Sequence, residues 1–166
     1  MKPFTLISAA MLVVALIPAD ALASCTDPPG PEVQWTRCYH DGRDFSNANL
    51  AGATLRDATF QRSNMTKINL TNARGFRAKL ISATLTGAVL DGAVFSEADF
   101  TRATLTGASL KGADLRRARF YGTILKGADL SGARMDGAEL LEADLTGATW
   151  TDGKRICGPG SIGQCN

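Results

Sequence analysis

The stretch Ala128-Asp129-Leu130-Ser131-Gly132-Ala133-Arg134-Met135-Asp136-Gly137 decides the fold. Two pentads follow one another in the same order: a small residue, a polar one, a bulky apolar one, then two corner formers. The phase holds outward from here, without a slip, over residues 43–152, which makes 22 pentads. The bulky residue of each pentad is its centre: Phe45, Leu50, Leu55, Phe60, Met65, Leu70 and so on to Trp150. Gly75 alone breaks the series. Two positions before each centre stands Ala, except at Arg43, Ser63, Ile68 and Thr123. Two positions after it Gly is common, as at Gly52, Gly87, Gly107 and Gly147. A period this regular fixes the architecture before any local propensity does.

Five residues suit neither regular element. On a straight strand, centres five apart would point to opposite faces. On an α-helix each centre would fall about 140° from the last, so no apolar stripe would form. The chain must therefore turn once per pentad. Ala and the centre lie two apart, so a short extended piece points both inward. The residue two after the centre supplies the corner, where Gly adopts unusual dihedrals at little steric cost. The result is a coil lined by alternating Ala and Leu or Phe, whose backbone groups pair with the coils above and below. A residue larger than Ala at the small position would overpack so narrow an interior. At Gly75 the phase is kept, and Phe76 or Ile68 is expected to fill part of the gap.

Ala128-Asp129-Leu130-Ser131-Gly132 and Ala143-Asp144-Leu145-Thr146-Gly147 resemble the unit of the pentapeptide-repeat family. The resemblance covers about two thirds of the chain. It implies an all-β fold, a right-handed quadrilateral parallel β-helix with one pentad per side and about 5.5 coils. At a strand spacing of about 4.8 Å the stack is about 26 Å long. It also implies a structural or interaction protein rather than an enzyme. Some members of the family resemble duplex DNA and bind a topoisomerase, but those are cytoplasmic and strongly acidic. This chain carries a formal charge of +2 and a pI near 8.4. Many members also pair end to end through a terminal coil, which leaves a homodimer open here, although disulfide-tied ends work against it.

The expected organisation is a signal peptide at 1–23, an N-terminal cap at 24–42, the β-helix at 43–152 and a C-terminal cap at 153–166. Lys2, the apolar run from Phe4 to Ile17, the break at Pro18 and Ala21-Leu22-Ala23 have the order of an export signal. The run is too short for a bilayer span, which needs about 20 apolar residues. Leu22-Ala23-Ser24-Cys25 also resembles a lipobox, so a lipoprotein anchored through Cys25 is the competing reading. The four cysteines, Cys25, Cys38, Cys157 and Cys165, all lie outside the repeats. An even count in an exported chain points to disulfides. Opposite ends of a rod of about 26 Å lie beyond the reach of one bridge, which leaves Cys25–Cys38 and Cys157–Cys165. In the cap, Trp35 is expected across the open top of the first coil. At the other end Trp150 is expected to plug the column. The localisation that follows is periplasmic or secreted.

Little in the sequence can make or break bonds. His40 is the single histidine. With Cys25 and Cys38 it makes a poor zinc set, because zinc needs three or four tetrahedral ligands. The glycines belong to corners, not to a phosphate loop. Asp99, Asp114, Asp129 and Asp144 share one repeat position and so read as coil-to-coil polar contacts, not an acid–base pair. No cofactor, metal or small-molecule substrate is expected, and a mixed charge of +2 gives weak support for nucleic acid.

Sorting every fourth pentad onto one face separates the surface. The first face (centres Phe45 to Leu145) and the second (Leu50 to Trp150) show mainly Thr, Ser, Gly, Asn and some Asp. The third carries Arg56, Arg74, Arg77, Arg116, Arg117 and Arg134; the fourth carries Arg62, Lys79, Arg102 and Arg119. Outward Phe76, Ile81, Tyr121 and Leu141 join them. Arginine beside aromatic residues is the composition of a contact patch. The expected interaction face is therefore Arg56, Arg74, Phe76, Arg77, Arg102, Arg116, Arg117, Arg119 and Tyr121. The alternative for the same residues is a solvated, charge-balanced wall.

Overall fold

A computed structural model describes residues 25–166. The expected signal peptide and the Leu22-Ala23-Ser24 part of the lipobox lie outside the described residues. Parallel bridges join residues twenty apart, from Gln34 with Thr54 to Asp129 with Thr149. One coil is therefore four pentads, and each pentad is one side. Each side contributes a single bridging residue, because five residues leave room for a corner and one extended contact but not for a longer strand.

Three backbone hydrogen bonds per pentad hold the stack. The Leu85 amide donates to the Thr104 carbonyl (2.7 Å), the Thr104 amide to the Ala83 carbonyl (2.9 Å), and the Gly87 corner amide to the Thr106 carbonyl (2.9 Å). Each corner is closed by the next pentad, as where the Ala88 amide donates to the Leu85 carbonyl (3.0 Å). The second corner residue has positive φ in every pentad from 43–47 to 143–147. Glycine fills many of these corners, but among the described residues thirteen positions of positive φ hold other residues, including Arg62, Lys67, Arg77 and Arg117, at φ between 54° and 61°. The left-handed region costs a non-glycine residue about 1–2 kcal/mol, so these corners are held by the ladder and not by their own preference.

Ala and the centres form one buried column. The exceptions to Ala are accommodated individually. Ser63 Oγ donates to the His40 carbonyl (2.8 Å) and Thr123 Oγ1 to the Phe100 carbonyl (2.7 Å), so neither buried hydroxyl is left unpaired. The gap at Gly75 is filled differently from expectation. A Cβ built on Gly75 would lie 2.1 Å from Cε1 of Phe95, the centre one coil below on the same face. Phe95 occupies the missing side chain's space. Ile68 is buried at its own small-residue position, and Phe76 lies on an outer corner.

The coil geometry begins ahead of Arg43. Gln34 and Tyr39 already bridge to Thr54 and Thr59. Trp35 and His40 thereby take centre positions, and Cys38 takes an Ala position. Trp35 is not a lid across the top but part of the column, 1% exposed, and it packs 4.1 Å from His40 and 5.5 Å from Phe45 between ring centroids. Cys25 and Cys38 are joined (Cα–Cα 5.3 Å), as are Cys157 and Cys165 (4.8 Å).

The other end is closed over half its area. The tail runs back antiparallel beneath the first and second faces, where Thr149 bridges Ile156 and Asp144 bridges Ile162. No bridge is made beneath the third and fourth faces among the described residues. Among the described residues, the amides of Met135, Gly137, Leu140 and Glu142 have no backbone acceptor. Met135, Ala138, Leu140 and Trp150 are only partly buried there, so Trp150 closes its own face but does not plug the whole column.

Candidate interaction surface

The third and fourth faces meet at a corner built from the pairs Arg56/Asp57, Phe76/Arg77, Ser96/Glu97, Arg116/Arg117 and Asp136/Gly137. The repeat stacks like positions one strand spacing apart, about 4.8 Å. Side chains twenty residues apart are therefore neighbours. One column of this corner runs Arg37, Asp57, Arg77, Glu97, Arg117, and the adjoining wall runs Lys79, Asp99, Arg119, Glu139. Both alternate in charge. Arg77 Nε lies 3.7 Å from Asp57, Arg117 Nη1 3.9 Å from Glu97, and Arg119 sits between Asp99 and Glu139, 3.8 Å from each. The expected arginine patch is thus interleaved with acids. The acids Asp57, Glu97, Asp99 and Glu139 fall on the same faces when every fourth pentad is sorted together, and the stacking sets their order within each column.

The nine expected residues divide by environment. Phe76 stands between two guanidinium groups, with Arg56 5.2 Å and Arg77 5.7 Å from its ring centroid. This is cation–π geometry and it holds an apolar ring at the surface. Below it Ser96 is too small to continue the corner, leaving a cavity of 510 Å³ lined by Phe76, Ser96, Glu97, Arg116, Arg117 and Asp136. A groove of 740 Å³ adjoins it between the two charge columns. Arg116 grips Asp114 through two hydrogen bonds, of 2.8 and 2.6 Å. These bonds, with Arg134 nearby, hold the Asp114 carboxyl below its ordinary range. Tyr121 lies one corner further round, where its hydrogen bond to Glu142 pushes the phenol up. Arg74 and Arg102 stand exposed on the wall and on a left-handed corner. Leu141, at 68% exposure, is the most exposed apolar side chain on these faces after Tyr39 at 80%.

The first and second faces satisfy many of their polar groups within single pentads, with Lys111 and Lys126 reaching across one coil to Asp129 and Asp144. Ser131 donates to Asp129 through both its amide (3.0 Å) and its hydroxyl (2.5 Å), and Thr71 does the same to Asn69 (3.0 and 2.7 Å). The Ser131 hydroxyl is the main cause that holds Asp129 below the usual carboxylate range. The expected carboxylate series therefore serves turns and coil contacts. In the first coil Arg43 Nη1 lies 3.2 Å from His40 Nδ1. Cys25 and Cys38, the sulfurs weighed for zinc, are paired with each other.

The profile for pentapeptide repeats matches residues 44–74, 78–117 and 113–149, in eight copies. The chain belongs to the pentapeptide-repeat family. Its fold is the right-handed β-helix solenoid of that family, and family members are generally non-enzymatic structural proteins. A pentapeptide repeat protein (Rfr23) from the cyanobacterium Cyanothece 51142 is 24% identical, with a TM-score of 0.51 over 70% of this chain and 90% of its own. A second, from the Arabidopsis thaliana thylakoid lumen, is 26% identical, with a TM-score of 0.46 over 75% of this chain and 81% of its own. QnrB1, a plasmid-mediated fluoroquinolone resistance protein, is more distant, at 19% identity and a TM-score of 0.44 over 69% of this chain and 68% of its own. No curated protein matches the chain.

Proposed function

We propose that this pentapeptide-repeat protein is a non-enzymatic, exported scaffold that docks a protein partner along its third and fourth faces. Phe76 carries the reading: an aromatic ring held at the surface between Arg56 and Arg77, beside a 510 Å³ cavity. Aromatic and arginine side chains around a recess are the usual anchors of a protein interface. Arg74, Arg116, Arg117 and Arg119 stand around it, and Arg102 and Tyr121 extend the face to the next corner. The interleaved acids make the surface a pattern of charges instead of a uniform field. That favours register and specificity over long-range attraction. A patterned wall is poorly suited to nucleic acid, which rewards uniform positive charge. It also speaks against the DNA-like, topoisomerase-binding alternative, as does the basic pI near 8.4.

Export is supported by the two disulfides, which persist in oxidising compartments. The Cys25–Cys38 bond occupies the sulfur that a lipid anchor would need, so simple cleavage near Ala23 is favoured over the lipoprotein. The test of the docking face is co-purification from the cell envelope with Phe76→Ala plus Arg74→Glu. Partners retained at wild-type yield would leave the face as a solubilising wall.

One observation favours a second contact, between two copies. The half-open end at residues 133–142 presents unpaired amides and a partly exposed apolar floor, with a cavity of 450 Å³ lined by Ala133, Arg134, Met135, Asp136 and Thr151. Open strand edges of this kind template pairing. Light scattering of the protein and of Leu140→Asp would read it: a dimer that dissociates supports the contact, and a monomer at all concentrations rejects it.

A further inference from the structure

Of the molecule's titratable side chains, His40 occupies the most unusual place. It fills a centre of the first coil, a position given elsewhere, Gly75 apart, to bulky apolar residues, and is 1% exposed. Its ring stacks on Phe60 (5.4 Å), lies 4.1 Å from Trp35 and meets Phe45 edge-on (5.6 Å). Nδ1 faces the Arg43 guanidinium at 3.2 Å and must accept from it, since a guanidinium only donates. The neutral ring then carries its proton on Nε2, which has no hydrogen-bond partner among the described residues, and neither does Trp35 Nε1. The site suits an uncharged imidazole alone. A second proton would have to go on Nδ1, against a permanent cation and inside an aromatic column.

We propose that the first coil is an acid-sensitive latch: protonation of His40 releases residues 31–45 from the rod while the coils below stay folded. Three features make the release local. In a solenoid each coil contacts only its neighbours, so an end unit can open on its own. The unit's backbone ties run to the coil below, as from Trp35 to Thr54, Arg37 to Arg56, His40 to Thr59 and Gly42 to Gln61, each 2.8 Å, whereas an interior coil is bonded on both sides. The unit's side-chain ties converge on the histidine's neighbours. Asp41 accepts from Thr59 Oγ1 (2.5 Å) and the Gln61 amide (2.8 Å), and Ser63 Oγ donates to the His40 carbonyl (2.8 Å).

The charged groups around the ring are few. Arg43 opposes protonation and Asp41 favours it, while burial is the largest influence and opposes it. From the coil below, Phe60 faces the ring and Ser63 the His40 carbonyl, and neither titrates. The balance lowers the histidine's affinity for a proton in the closed coil. A histidine released to water titrates near 6.5. The open form therefore binds more protons than the closed form below that pH, and closure weakens as pH falls. The Cys25–Cys38 bridge ties the released segment to residues ahead of it, so the coil loosens without losing that loop.

The test uses the oxidised, exported chain. His40 is its only histidine, and Trp150→Phe leaves Trp35 as its only tryptophan. Acrylamide quenching of Trp35 and the ring resonance of His40 are followed from about pH 8 to about pH 4.5. The expected result is a reversible rise in Trp35 quenching that begins below pH ~6.5, together with the histidine shift. Amide exchange over residues 31–45 should be about tenfold faster at pH ~5 than at pH ~7 after intrinsic correction, with residues below unchanged. His40→Phe should abolish the step. Arg43→Gln, which keeps the ring but removes the cation, should shrink it. Trp35 protected down to pH ~4.5, or a step that survives His40→Phe, would overturn the latch.

Discussion

The two halves of the wall share one backbone and differ in how they satisfy their polar groups. On the first and second faces, Asn69, Asp129 and Asp144 hold the corners of their own pentads through Thr71, Ser131 and Thr146, and Lys111 and Lys126 reach across one coil to Asp129 and Asp144 (3.2 Å each). On the third and fourth faces, columns of alternating charge run across several coils: Arg77 to Asp57, Arg117 to Glu97, Arg119 to Asp99 and Glu139. Short polar groups held at corners leave a flatter surface. Cross-coil pairing leaves long side chains, an outward Phe76 and grooves between the columns. The repeat therefore dictates the inside of the rod and leaves its outside free to diverge face by face.

The largest stability effect separates the column from both walls. Gly75→Leu should cost more than about 3 kcal/mol in urea unfolding, because its Cβ would enter the Phe95 ring at 2.1 Å. Pairing it with Phe95→Ala should recover part of the loss. If Gly75→Leu is neutral, Phe95 does not hold that space. Leu105→Ala, at a regular buried centre of the first face, should cost about 2–5 kcal/mol, and a markedly smaller loss would mean that the column collapses around the gap.

Corner substitutions should act through φ on both halves of the wall. Gly107→Ala meets nothing within 4 Å, so its expected loss of about 1 kcal/mol is purely conformational. Arg62→Gly, at φ 56°, should be neutral or stabilising by up to about 1 kcal/mol, because relief of the left-handed strain is offset by glycine's greater freedom when unfolded. A loss at Arg62→Gly would show that the arginine makes a contact worth more than the strain it bears.

Acid should test both halves in one titration. Asp114 on the third face and Asp129 on the second both hold their carboxyls below the ordinary 3.8. The unfolded chain binds more protons in that range, so stability should be constant above pH ~4.5 as far as these groups act, and fall as pH drops through the carboxylate range. Asp129→Asn should reduce the acid dependence; unchanged pH curves would contradict the assigned hydrogen bonds. The smallest effect is expected at Arg117→Ala, whose partner Glu97 is 3.9 Å away in solvent, with a change within about 0.5 kcal/mol that salt reduces further.

Much of this fold can be read from residues 43–152, because Ala, the centre and Gly each answer a separate demand: a narrow interior, an apolar column and a left-handed corner. The first two sides are harder to see. Cys38 replaces Ala, His40 replaces an apolar centre, and Glu32 and Arg37 stand at the corners where glycine would have signalled a turn. Geometry at those positions is imposed by pairing with Thr54 and Thr59, which lie twenty residues away. The same distance hides the replacement of the Gly75 side chain by Phe95 and the alternation of Arg77, Glu97 and Arg117. Composition pointed to the third and fourth faces and to acids mixed among their arginines, while the partner of each arginine emerges only when coils are stacked.

The most direct test of the central claim compares the two halves as docking surfaces. Envelope proteins would be captured on the oxidised protein and on two variants of it, Arg74→Glu/Phe76→Ala and Thr84→Glu/Thr104→Glu. The first alters the third face and the second alters the first face. Partners lost from the third-face variant and kept by the first-face variant are the predicted result. Equal capture by both variants would contradict the assignment of function to the charged corner.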